Sequence, residues 1–332
     1  MRRRSLLLAA VPAGLVTLAA CGDDSSDSGK TSASPSASAA PPPKIVDGPL
    51  PAVTAGTKFG EKPVIAKGPA DPSKNLAVRT LIPGNGRTVA ENDFVQANYL
   101  GQIWDTAKVF DNSYDRKRPL VMQLAKGSII DGWRYALAGK KAGSRVQIAV
   151  PPALGYGKSG QPDAGIKGTD TLVFVIDLID SFNSRSSAKG KPVAQDDPAL
   201  PKVATNTDGQ VPKVTVPKSD PPKKLVSEYV LEGDGAEVKA DQTVLCQFQG
   251  LVWEGGKTFQ RTYGSGRLSQ FALEQMRQAV KGLAQGLTGK KVGSRVLIVV
   301  PPELGYGDNP PSGGAIKKGA TLVFTVDILA AM

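Results

Sequence analysis

The sequence predicts an α+β fold class, with one domain plan used twice in tandem, and it does so on three grounds. Gly139–Gly157 reads GKKAGSRVQIAVPPALGYG and Gly289–Gly307 reads GKKVGSRVLIVVPPELGYG, identical at 15 of 19 positions at an offset of 150. A repeat that long is a pair of domains, because solenoid repeats run only about 20–50 residues. Short β-branched or aromatic runs, among them Phe94–Tyr99, Val146–Val150 and Thr171–Leu178, are bounded by Gly, Pro and Asp clusters and read as strands. Each copy offers one helix candidate. In the first it starts at Asp131 as N-cap, with Trp133 and Leu137 one turn apart on one face, and Leu283 and Leu287 keep that spacing in the second. Strands do not alternate with helices, so each copy is expected to be an antiparallel sheet with one short helix packed on it.

Taken from the N-terminus, Arg2, Arg3 and Arg4 precede an apolar stretch, Leu6–Ala20, that is too short to span a bilayer and suits a signal peptide. It ends Leu18-Ala19-Ala20-Cys21, which resembles a bacterial lipobox. That resemblance implies lipidation at Cys21 and a stable anchor on the extracytoplasmic face of the cell membrane. Residues 21–55 begin as a Ser/Ala/Pro/Asp tract without hydrophobic period and are expected to form a flexible tether. The first copy is assigned to 56–182 and the second to 209–332, and the Pro-, Ser- and Lys-rich stretch 183–208 is expected to be a linker. Upstream of Leu273 the offset between copies is 149, so the second copy carries one inserted residue between Leu273 and Leu283.

Composition removes whole classes of chemistry. The 332 residues contain no histidine, which excludes Ser-His-Asp triads, imidazole acid-base catalysis and histidine metal sites. Two cysteines, Cys21 and Cys246, make neither a zinc site nor a disulfide framework. The net charge of +11 comes from scattered lysines and the leader arginines, without a basic helix, so nucleic acid is not an expected partner.

The ordered residues of the first copy resemble the FKBP family of peptidyl-prolyl cis-trans isomerases. They run Asn98-Tyr99-Leu100-Gly101, Val109-Phe110-Asp111-Asn112-Ser113, Arg116, Ile129-Ile130-Asp131-Gly132-Trp133, Gly155-Tyr156-Gly157 and Thr171-Leu172-Val173-Phe174. The resemblance implies a half-open antiparallel sheet wrapped around a short helix, with a proline pocket between them and no cofactor. It implies Trp133 as the pocket floor, Tyr99, Phe110 and Phe174 as aromatic walls, and Ile129, Ile130 and Ile166 as the rim. The Ile130 N–H and the Tyr156 hydroxyl would then bind substrate carbonyls, with Asp111 beside the twisted amide, held by Tyr99 and Arg116. Two departures stand out: Leu120 replaces the usual aromatic, and one extra residue lies between Tyr156 and Phe174. Proline-containing exported polypeptides are the expected clients, and tacrolimus- or rapamycin-type macrolides the expected inhibitors.

These side chains suit that chemistry. An Xaa-Pro bond crosses a barrier of about 18–20 kcal/mol and isomerises unaided in roughly 10–100 s. Twisting it abolishes amide resonance, so the transition state is less polar than either planar state, and an apolar aromatic pocket binds it preferentially. No proton need move. The second copy keeps Phe259, Tyr306 and Phe324 but has Phe248, Gln260, Ser265 and Leu283 where the first has Tyr99, Asp111, Arg116 and Trp133. It is expected to fold alike and to isomerise weakly or not at all. The rival reading is a non-catalytic chaperone that holds unfolded or proline-containing chains. A solute-binding lipoprotein would need larger lobes of alternating strands and helices.

Overall fold

The computed structural model describes residues 41–332. The expected signal peptide at 1–20, the acylation candidate Cys21 and the tether as far as residue 40 lie outside the described residues.

The segment expected to close the tether is instead held on a sheet. Strand β1 (Ile45–Val46) pairs through Ile45↔Leu76, while β2 (Val53–Ala55) pairs with β3 (Val64–Ile65). Next come β4 (Leu76–Ile82), β5 (Phe94–Ile103), β6 (Val109–Asn112), β7 (Leu120–Gln123), α1 (Asp131–Leu137), β8 (Arg145–Val150) and β9 (Leu172–Phe182). The sheet order is β1-β4-β8-β9-β5-β6, with β7 also on β5, and every pairing is antiparallel except β1 on β4. Helix α1 packs on the inner face, where Leu137, Val146, Ile148, Leu172 and Ile176 are buried. Its N-cap is Ile130, with no side-chain cap bond, and Asp131 sits in the first turn, accepting from Arg134 Nε at 3.0 Å.

The outer face explains why residues 45–65, the strap of this copy, are held there. Ala77, Leu100, Trp104, Ala149, Val173 and Val175 form an apolar surface there, and Ile65, Leu50 and Val53 cover it. Within that cover lies a fully buried ion pair: Arg145 Nε and Nη2 donate to the two oxygens of Asp177 at 2.6 and 2.7 Å. Nη1 and Nη2 also donate to strap carbonyls, Gly56 O and Glu61 O. A buried charge pair is tolerable when its spare donors are satisfied in this way.

The second copy repeats the plan, and the expected linker becomes its strap. Strand β10 (Lys191–Pro192) joins the sheet edge, and β11 (Lys202–Val203) pairs with β12 (Val214–Thr215). Ala188 and Val203 cover Leu251, Trp253, Leu297, Val299 and Val323. Arg295 holds Asp327 at 2.6 and 2.8 Å and donates to Ala204 O and Asn206 O. Then follow β13 (Val226–Glu232), β14 (Thr243–Val252), β15 (Thr258–Arg261), β16 (Ser269–Ala272), α2 (Leu273–Ala279), α3 (Lys281–Leu287), β17 (Arg295–Val300) and β18 (Leu322–Ala331). Helix α2 is an addition to the expected plan. It replaces the turn around Gly127, which has φ +82°, with the helix-favouring run Leu273-Glu-Gln-Met-Arg-Gln-Ala279.

The copies touch through an apolar seam in which Phe94, Val121 and Phe182 pack against Leu245, Leu329 and Ala330. Within the second copy, the Lys189 and Gly190 N–H groups both donate to Gly293 O at 3.0 Å.

Candidate functional site

Strand alternation puts Tyr99 and Gly101 of β5 and Phe174 of β9 on the face that meets α1, and Gly101 lies directly across from Phe174. Gly101 must be glycine, because a Cβ there would come within 2.7 Å of both the Phe110 and the Phe174 rings. The vacated space lets the rings assemble. Trp133 of α1, fully buried, meets Tyr99 and Phe174 edge-on at centroid distances of 5.4 Å, and Phe110 meets Phe174 edge-on at 5.6 Å. Such edge-to-face contacts are a favoured aromatic geometry. Among the described residues the Trp133 indole N–H has no hydrogen-bond partner. Ile129 and Ile166 are buried in the same cluster, and Ile130, Tyr156, Phe110 and Leu120 pack against it half-buried. Ile166 is fixed by a bridge to Gln161.

The Asp111 carboxylate borders this apolar cluster. Asp111 ends up buried, with its carboxylate accepting from the Tyr99 hydroxyl on one oxygen and from Arg116 Nη1 on the other. Arg116 Nη2 also donates to the Tyr99 hydroxyl at 2.8 Å, closing a three-membered network. Burial pushes the Tyr99 phenol far above its ordinary range, and hydrogen bonding to Asp111 adds to the effect. Burial alone would lower Arg116, but its hydrogen bond to Asp111 helps outweigh that and holds the guanidinium above its ordinary range. Burial, with the Asp111 charge, pushes Tyr156 up to about 12. All three stay protonated near neutrality, so the site presents fixed hydrogen-bond donors rather than a proton shuttle.

All ten residues singled out in the sequence converge here. What the sequence reading missed is the support behind them. Tyr114 donates to Asp177 at 2.9 Å, and Lys62 reaches Asp115 from the strap at 2.7 Å. The steric role of Gly101 could also have been read, since a glycine inside a strand marks close approach of other groups.

In the second copy the corresponding positions diverge. Phe259 and Phe324 keep an edge-on contact at 5.8 Å, but Gln260 is exposed and Leu283 lies buried at the floor. Phe271, standing where the first copy has Met122, packs on Phe248 at 4.9 Å in the cluster that also holds Leu283.

A family model described as FKBP-type peptidyl-prolyl cis-trans isomerase matches residues 85–179 and again 235–329. The chain belongs to that family. It is 28% identical to the human protein named peptidyl-prolyl cis-trans isomerase FKBP9 over 263 residues, 78% of this chain and 39% of that protein. To the FKBP-type peptidyl-prolyl cis-trans isomerase FkpA of Escherichia coli K12 it is 37% identical over 139 residues, 42% of this chain and 49% of FkpA. The chain thus spans well under two thirds of either relative's length. Among solved structures, the three FKBP domains of wheat FKBP73 match 77% of this chain and 94% of that one, at 18% identity and a TM-score of 0.32. As an FKBP-type chain with two such domains, it carries the family's α+β plan twice, with an extra helix in the second copy.

Proposed function

We propose that this chain is a peptidyl-prolyl cis-trans isomerase whose active site is the aromatic bowl of domain 1, and that domain 2 is weak or silent. The observation that supports the reading is the buried Asp111, held by Tyr99 and Arg116 beside the edge-on Trp133–Phe174–Phe110 cluster. A prolyl ring seated over Trp133 places its amide in apolar surroundings that favour the twisted state, while Asp111 orients or polarises that amide. Ile130 N–H and the Tyr156 hydroxyl would hold the flanking carbonyls. In domain 2 the loss of that carboxylate and of the flat floor removes both contributions.

The lipobox at Cys21 supports placement on the extracytoplasmic face of a bacterial cell membrane. The clients would then be exported polypeptides folding there. Tacrolimus- or rapamycin-type macrolides would compete for the domain 1 pocket alone.

The test is NMR exchange on a short Xaa-Pro peptide with the full chain. Wild type should accelerate exchange, and tacrolimus should abolish it. Asp111→Val should cut kcat/KM by about tenfold or more, the worth of a charge-assisted hydrogen bond, and should cut peptide binding less. Phe324→Ala in domain 2 should leave exchange unchanged. A chain that binds unfolded polypeptide yet leaves exchange at the uncatalysed rate would be a chaperone, and the site roles would fall.

A further inference from the structure

The bowl is braced from outside the sheet by the strap. The Gly60 N–H donates to Asp177 Oδ2 at 2.6 Å, the same oxygen that accepts from Tyr114. Lys62 Nζ donates to both oxygens of Asp115, at 2.7 and 2.9 Å. Asp115 is in turn closed onto Asn112, donating its N–H to Asn112 Oδ1 at 2.9 Å and accepting from Asn112 Nδ2 at 3.0 Å. Asn112 directly follows Asp111, and Asp115 directly precedes Arg116. The strap therefore grips the turn that presents Asp111 and Arg116 to each other.

Domain 2 separates this grip from folding. The deeper clamp persists there as Arg295–Asp327, and Tyr263 occupies the place of Tyr114. The outer grip does not persist: Val211 stands at the position of Lys62, Gly264 at that of Asp115 and Arg261 at that of Asn112. The same copy has Gln260 and Ser265 for Asp111 and Arg116. A copy that folds on the same plan without the Lys62–Asp115 contact has no need of it for the fold. The contact occurs in the copy that holds the charged network.

We propose that Lys62 and Asp115 are positioning residues for domain 1, through which the strap sets the geometry of the Arg116–Asp111–Tyr99 network. Its consequence for turnover rests on the isomerase reading above, but the geometric coupling does not. Lys62 and Asp115 side chains are 46% and 62% exposed, so substituting them leaves the core intact. For an exposed ion pair the expected effect is small and salt-sensitive, about two- to fivefold.

The experiment uses the full chain labelled with 15N-arginine, following the Arg116 Nε–H resonance (assigned through Arg116→Lys) beside peptide exchange. Lys62→Glu and Asp115→Lys should each shift that resonance and lower turnover about two- to fivefold with peptide affinity unchanged. The double charge swap should restore both readouts. Unshifted Arg116 in both single variants, or a double variant no better than the singles, overturns the proposal. If wild type fails to accelerate exchange, the isomerase reading falls, and the resonance and its recovery still decide the coupling.

Discussion

Gly101 contributes to the bowl by having no side chain. Gly101→Ala pushes a methyl against two rings and is expected to destabilise domain 1 by about 1–3 kcal/mol, the usual range for overpacking. Chemical denaturation together with peptide affinity measures this, and affinity should fall because Phe110 must shift. Trp133 can be examined by making domain 1 imitate domain 2. Trp133→Leu leaves a void and should cost somewhat less than the roughly 3–5 kcal/mol of a full truncation to alanine. Adding Met122→Phe supplies the bulk that Phe271 provides in domain 2 and should recover much of that stability. It should not recover turnover, because Phe271 packs from the strand side and offers a prolyl ring no flat floor. Recovery of both would mean that the bowl needs volume rather than the indole plane.

At the level of elements, the strap and its clamp decide how the sheet is covered. Asp177→Asn leaves the fully buried Arg145 without its counter-charge and is expected to cost about 3–5 kcal/mol. Hydrogen exchange should then show the amides of β1–β3 losing protection ahead of β8 and β9. Much of the fold was legible: the strand runs and the helix at Trp133 follow from short-range pattern, and the duplication from self-similarity at an offset of 150. That the ten candidate residues would gather in one place was legible because they sit in a motif of fixed order. The straps were not, since Leu50, Val53, Ile65 and Val203 follow no period and are ordered only by the sheet beneath them. A hint lay in Leu172–Ile176, an apolar run without polar alternation of the kind a sheet covered on both faces carries. The bracing of Asp111 was hidden for a related reason, because Lys62 and Asp115 are 53 residues apart and Gly60 and Asp177 are 117 apart. Helix α2 escaped notice because the repeat itself suggested a turn, and the change from Gly127 to Met276 removes the residue that turn requires.

Across the whole molecule, the buried phenols set an alkaline limit. Burial raises Tyr99, Tyr114, Tyr156 and Tyr263 above their ordinary value, so the folded chain keeps protons that the unfolded chain releases above about pH 10. The stability tied to these groups is complete below that pH and is lost as pH rises through the folded values, Tyr156 first at about 12. The melting temperature should therefore hold between pH 8 and 9 and fall steeply near pH 11. Leu245→Glu would bury a charge in the seam and is expected to split one calorimetric transition into two, with tandem unfolding intact if the seam matters little. The seam is also asymmetric. The cross-strand pair Gln96↔Asp180 of domain 1 becomes Leu245↔Ala330 in domain 2, whereas Phe94 and Val121 become Thr243 and Gln270. Each half of the contact is thus written once per chain, a plug on one copy and a socket on the other. Had both copies carried both halves, every molecule would have offered a free socket to the next, the arrangement that grows into fibres. Here that apolar surface is already covered within the chain.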